Sequence, residues 1–202
     1  MDPKHTALVL IGYQNDYFAA DGILHQVIEE SSRVTGTLTN TVDLVARLRS
    51  TPLLIVATPV IFTPDYSELV ESVGILKTIK ELGAFKAGTK GAETIPELRR
   101  LGERILEVPG KRGLNAFSNT DLDNLFHQRG ITNVVLAGVV TSICVDSTGR
   151  SAYERGYKVS VLSDCTSGRT TFEQDFYCEN VFPLYAEVID HEQLLQRLRI
   201  TT

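Results

Sequence analysis

Six short apolar runs limit what this chain can fold into: TALVLIGY (6–13), PLLIVATPV (52–60), ERILEVP (103–109), TNVVLAGVV (132–140), YKVSVLSD (157–164) and AEVID (186–190). Each has strand length, and the segments between them carry apolar residues at helical spacing. That alternation is the βα signature of a parallel sheet covered by helices on both faces, which places the chain in the α/β class. In residues 31–50, Val34, Leu38, Val42, Leu44, Val45 and Leu48 recur at helical offsets, with Gly36 and several threonines weakening the first turns. Asn119 to Phe126 reads as a capped helix start. Residues 59–100 form an excursion rich in Gly and Pro with one short helix around GILKTIKEL, and such excursions often cover a site.

With 202 residues, 43% of them hydrophobic, the chain can bury roughly two-thirds of its unfolded surface, so a single domain over 1–202 is expected. The net charge of −5 and the absence of a basic stripe argue against a nucleic-acid partner. No apolar stretch approaches the roughly 20 residues of a membrane span, and MDPKHTALVL lacks the layout of a secretory leader. A cytoplasmic protein without a membrane partner is the expectation. Cys144, Cys165 and Cys178 show no CxxC spacing, which points away from a disulfide framework or a zinc site.

In open parallel sheets the pocket forms beyond the carboxyl ends of the strands. Three such ends carry chemistry: Gln14-Asn15-Asp16, Lys111-Arg112 and Thr141-Ser142-Ile143-Cys144. Cys144 falls in the first turn of a helix that runs on toward Gly156. Unpaired N–H groups and the helix dipole favour a thiolate there and can hold the oxyanion formed when it attacks a carbonyl. The competing reading is a small buried hydrophobe, which is how Cys165 and Cys178 are read.

Taken together, LVLIGYQNDYF (8–18), GKRGLNAFSNTDL (110–122), GVVTSICVDSTGRSAYERGY (138–157) and VSVLSDCTSG (159–168) resemble the isochorismatase-like cysteine hydrolases. This superfamily includes nicotinamidases, N-carbamoylsarcosine amidases and ureidoacrylate amidohydrolases. The resemblance covers nearly the whole chain and implies a three-layer, Rossmann-like fold with a six-stranded parallel sheet. It also implies assembly into a dimer or tetramer and an Asp, Lys and Cys triad. Cys144 matches the nucleophile and Lys111 the lysine. A cis peptide is implied at Val139–Val140, turning the Val140 N–H toward the oxyanion beside that of Cys144.

The departure is Gly12, which stands where the triad aspartate is expected, two residues before Gln14. A missing general base costs about 10²–10⁴ in rate, so slow catalysis is compatible with its loss. Water or a substrate carboxylate can take over the task. Asp16 matches the structural acid of the motif, and Asp16, Asp175 and Glu179 are the candidate replacement acids. The segment after the second strand, ATPVIFTPDYSEL, has no histidine, and His5, His25, His127 and His191 are scattered, so neither a metal nor another cofactor is expected.

Tyr13, Phe18 and Phe117 are candidates for an apolar wall around a small planar substrate, and Arg112 for a bidentate grip on a carboxylate. Phe176 and Tyr177 are candidates to close the site. Arg150, four residues after Asp146, is expected to form a local ion pair. The leading reading is a hydrolase of a small amide or ureido C–N bond, acting through an acyl-enzyme. A ligand-binding relative inactivated by natural or engineered loss of the base is the alternative, and vinyl-ether hydrolysis of the isochorismatase type ranks third.

Overall fold

The computed structural model describes residues 1–200. Six strands, β1 (Thr6–Ile11), β2 (Leu54–Thr58), β3 (Leu106–Glu107), β4 (Asn133–Val139), β5 (Lys158–Ser167) and β6 (Glu187–Ile189), form one sheet in the order β3-β2-β1-β4-β5-β6. Every pairing is parallel. Each apolar run of the sequence therefore supplies one strand.

The helices are α1 (Asn15–Phe18), α2 (His25–Thr35), α3 (Thr37–Arg47), α4 (Gly74–Leu82), α5 (Pro96–Arg99), α6 (Leu122–Gln128), α7 (Asp146–Glu154), α8 (Thr171–Phe176) and α9 (His191–Arg197). No helix of the described residues is long and apolar enough to cross a membrane.

Alternation along the central strands divides the interior into two layers. Ala7, Val9 and Ile11 of β1 and Val134 and Leu136 of β4 face a core closed by Leu122 and Phe126 of α6 and Ala152 of α7. Leu8 and Leu10, with Val135 and Ala137, face the opposite core, closed by Leu44 and Val45 of α3 and Leu194 and Leu195 of α9. Both faces of the sheet are thus covered, which accounts for strands that read as nearly continuous apolar runs.

Residues 31–50 do not form a single helix: Gly36 takes a left-handed conformation that ends α2 and precedes α3, and α2 begins earlier, at His25. Val34, placed by periodicity on the apolar stripe, is consequently exposed.

β1 and β4 are neighbours, but the chain proceeds from β1 to β2 on one side and from β4 to β5 on the other. This reversal opens a crevice at the carboxyl ends of the two strands. The Gln-Asn-Asp stretch after β1 holds the cover of this crevice in place. Gln14 donates from Nε2 to the carbonyls of Val60 and Ala92 and accepts from Val60 N, while Asn15 Nδ2 donates to Lys90 O. Asp16, buried, accepts from Phe85 N at 2.6 Å. These bonds tie the 59–100 excursion over the crevice, where Leu24, Val60, Phe62, Tyr66, Ile79 and Phe85 form a third apolar cluster.

Asp16→Ala is expected to cost about 1–3 kcal/mol, because it leaves the buried Phe85 N–H without its acceptor. Urea unfolding of the variant beside the parent checks it.

Candidate active site

Backbone geometry sets the position of each chemical group. β1 ends at Ile11, and Gly12 follows with φ of 72°. That left-handed conformation is one that side chains other than glycine disfavour. A Cβ at Gly12 would lie 2.9 Å from the carbonyl oxygen of Val139 and 3.1 Å from its Cγ2. Gly12→Ala is therefore expected to destabilise the fold by about 1–3 kcal/mol, measurable by the same unfolding experiment. In Gly12→Asp the new Cβ would meet the same Val139 atoms.

Opposite Gly12, β4 leads into the Val139–Val140 peptide, which is cis, and then into a π-helical turn, Thr141–Val145, that continues as α7. Gly138 is indispensable to this approach, since a Cβ there would run into the Ile11 carbonyl. Cys144 lies in the π-helical turn with 8% of its surface exposed. The third group arrives from the loop after β3: Lys111 is fully buried, and its Nζ has no hydrogen-bond partner among the described residues.

Gly12, Lys111 and Cys144 line one cavity of about 10 Å3, roughly the room of a single water. Its apolar wall comes from Tyr17, Phe85, Leu76 and Ile79, with Ile143 and Val139 beside the cysteine. Among the described residues no carboxylate lines it. An open groove of about 680 Å3 elsewhere is much larger, but it is lined by residues such as Ile61, Thr89 and Ile105 and contains none of the three. Size is a poor guide here; chemistry converges in the small cavity.

Several side chains expected in the pocket lie outside it. The Tyr13 hydroxyl is held between Thr41 Oγ1 and the Cys165 carbonyl in the core on the α3 side, and Phe18 stacks on its ring. Phe117 packs edge-on to Phe126 and under the Arg155 guanidinium. Arg112 is occupied by Glu68, 3.0 Å away, and by the Ile61 carbonyl, so it braces the excursion and is not free to grip a ligand. Phe176 is partly exposed and, with Tyr177, lines a surface depression by α8.

The replacement acids fare no better. Asp16 is committed to Phe85 N, and Asp175 and Glu179 are exposed. Arg150 does form its ion pair with Asp146, at 2.9 Å.

Tyr17 is among the cavity residues that the sequence did not point to. It lies three positions beyond Gln14 on α1 and is buried against the cavity. Burial holds its phenol well above the ordinary tyrosine range, with added repulsion from a charged Cys144 or Asp16. It therefore stays a hydrogen-bond donor. The other cysteines are inert by comparison: burial pushes the Cys165 thiol far up and that of Cys178 up to about 12.

Histidine and carboxylates gather only away from the cavity, among the described residues, where His191 is shared by Asp164 with Cys165 and by Asp43 with Glu192. There His191 Nδ1 already pairs with Asp164 Oδ2 at 2.5 Å.

Known proteins carry the same frame. A cysteine hydrolase from Pseudomonas syringae pv. phaseolicola 1448A superposes with a TM-score of 0.85 over 98% of this chain and 94% of its own, at 19% identity, a likeness of fold. The isochorismatase family protein YecD of Escherichia coli O157:H7 is 27% identical over 202 residues, 98% of each chain. The ureidoacrylate amidohydrolase RutB of Enterobacter sp. (strain 638) is 29% identical over 181 residues, 81% of this chain and 76% of its own. Residues 6–193 match the isochorismatase domain. The six-stranded sheet, the loops converging on Cys144 and this match agree, and the chain belongs to the isochorismatase domain family.

Proposed function

We propose that the protein is a cysteine hydrolase of a small amide or ureido compound. The observation that carries this reading is the convergence of Cys144 and the unpartnered, buried Lys111 on one cavity at the crevice between β1 and β4. Cys144 Sγ attacks the carbonyl carbon, and the backbone amides of Val140 and Cys144 receive the developing oxyanion. Lys111 supports the sulfur anion by charge. Amine leaves, and water hydrolyses the acyl-enzyme. Membership of a hydrolytic family and the name of the RutB relative support a C–N bond as the target.

The test is acid quench of the protein during turnover of a panel of small amides and ureido compounds, followed by mass analysis. An acyl adduct on the peptide bearing Cys144 is expected. Amine release without such an adduct would sink the reading.

A second reading, a ligand-binding relative without turnover, is favoured by Gly12 and by the lack, among the described residues, of any carboxylate in the cavity lining. Saturable binding of panel members with no amine released is its signature.

A further inference from the structure

A buried cation with no partner and a missing acid meet at the same place. Lys111 is fully buried, its Nζ lacks a hydrogen-bond partner among the described residues, and it lines the cavity that also holds Cys144 and Gly12. A lone buried charge is costly unless an opposite charge reaches it. Among the described residues none pairs with it: Asp16 is bound to Phe85 N, and Gly12 is held at φ of 72° with the Val139 carbonyl oxygen 2.9 Å from where a Cβ would lie.

We infer that the substrate itself brings the anion: an amide or ureido acid whose acyl portion carries a carboxylate that pairs with Lys111 and serves as the proton acceptor for Cys144. The inference rests on the cysteine-hydrolase reading and narrows its substrate class.

The chemistry balances without another group. As the sulfur–carbon bond forms, the carbonyl π pair moves onto oxygen and the thiol proton passes to the substrate carboxylate. The resulting carboxylic acid gives that proton to the nitrogen as the C–N bond breaks and the amine departs. Because the carboxylate belongs to the acyl part, it remains in the thioester. Water then adds to the thioester carbon, loses a proton to the same carboxylate, and the acid returns the proton to the departing sulfur.

Tyr17, held as a phenol, donates and cannot take the base's place at neutral pH. A cavity of about 10 Å3 does not admit such a molecule in this conformation, so entry displaces the half-buried Ile75 and Leu76 of α4 that line it.

Matched alkylating agents test the pairing. Iodoacetate and iodoacetamide differ in a carboxylate against a carboxamide, and their rates on Cys144 are divided by their rates on 2-mercaptoethanol. The parent protein is expected to favour iodoacetate by about tenfold or more, and Lys111→Met to abolish that preference. With the parent alone, malonate is expected to protect Cys144 from iodoacetamide where malonamide does not, so the test stands even if the variant does not fold.

Equal normalised rates and no protection by malonate would overturn the inference and leave the cysteine reading intact. Failure of both reagents to modify Cys144 in the folded protein would overturn both.

The base role has its own readout. Among amide acids and their methyl esters, the esters are expected to lose kcat by about 10²-fold or more. An effect on KM alone reduces the carboxylate to an anchor and overturns its part in proton transfer. Hydrolysis in neither set removes the reading and the inference together.

Discussion

Cys144→Ala is expected to lower turnover of the best amide by about 10³-fold or more and to remove the acyl adduct altogether. The reason is chemical and local. Among the described residues nothing else lining the cavity is a nucleophile of comparable strength, and Cys165 and Cys178 are kept protonated by burial. The substitution deletes one sulfur from a site at the sheet margin, so stability should fall by no more than about 1–2 kcal/mol. Steady-state kinetics paired with thermal unfolding separates the two effects. A variant that keeps a tenth of parental turnover would show that the sulfur is a bystander.

Lys111→Met should move activity and stability in opposite directions. Methionine nearly matches the lysine stem in length and needs no partner for its terminus, whereas the Lys111 amine is buried without one. Folding stability is expected to rise by about 1–3 kcal/mol, with each kcal/mol moving Tm by roughly 2–4 °C for a chain of this size. On the proposed mechanism turnover should fall by about 10²-fold or more, since the lysine head that shares the cavity with Cys144 is gone. Such a trade is expected where a group is kept for chemistry at the expense of the fold. A less stable variant would mean that the lysine head is well satisfied in the folded protein, and the reading of it as an unsatisfied cation would fail.

The sheet was legible because its information is local. A buried parallel strand must be apolar on both sides, and six apolar runs flanked by turn residues became six strands. The helices were less so: the periodicity over 31–50 is real, but Gly36 breaks it into two helices whose relative angle only tertiary packing decides.

Cys144 and Lys111 could be brought together in advance because strand ends share one edge of a parallel sheet, whereas Gly12 was singled out only by the family resemblance. The pocket walls could not. Tyr13 and Phe18 are neighbours of the motif in sequence, yet they turn into the core on the α3 side. Tyr17, one residue before Phe18, faces the cavity instead. Leu76, Ile79 and Phe85 come from the excursion, whose path over the site depends on contacts far apart in the chain. The left-handed backbone of Gly12 carries no sequence signal of its own.

The clamp made by Gln14, Asn15 and Asp16 grips main-chain atoms alone: the oxygens of Val60, Ala92 and Lys90 and the nitrogens of Val60 and Phe85. These particular hydrogen bonds do not depend on which side chains the roof displays. Val60 and Phe85 are gripped through their backbones while their side chains help wall the cavity, so anchor and wall fall to different atoms of the same residues. A scaffold of this kind can acquire new selectivity by changing its ceiling and leaving its fastenings untouched.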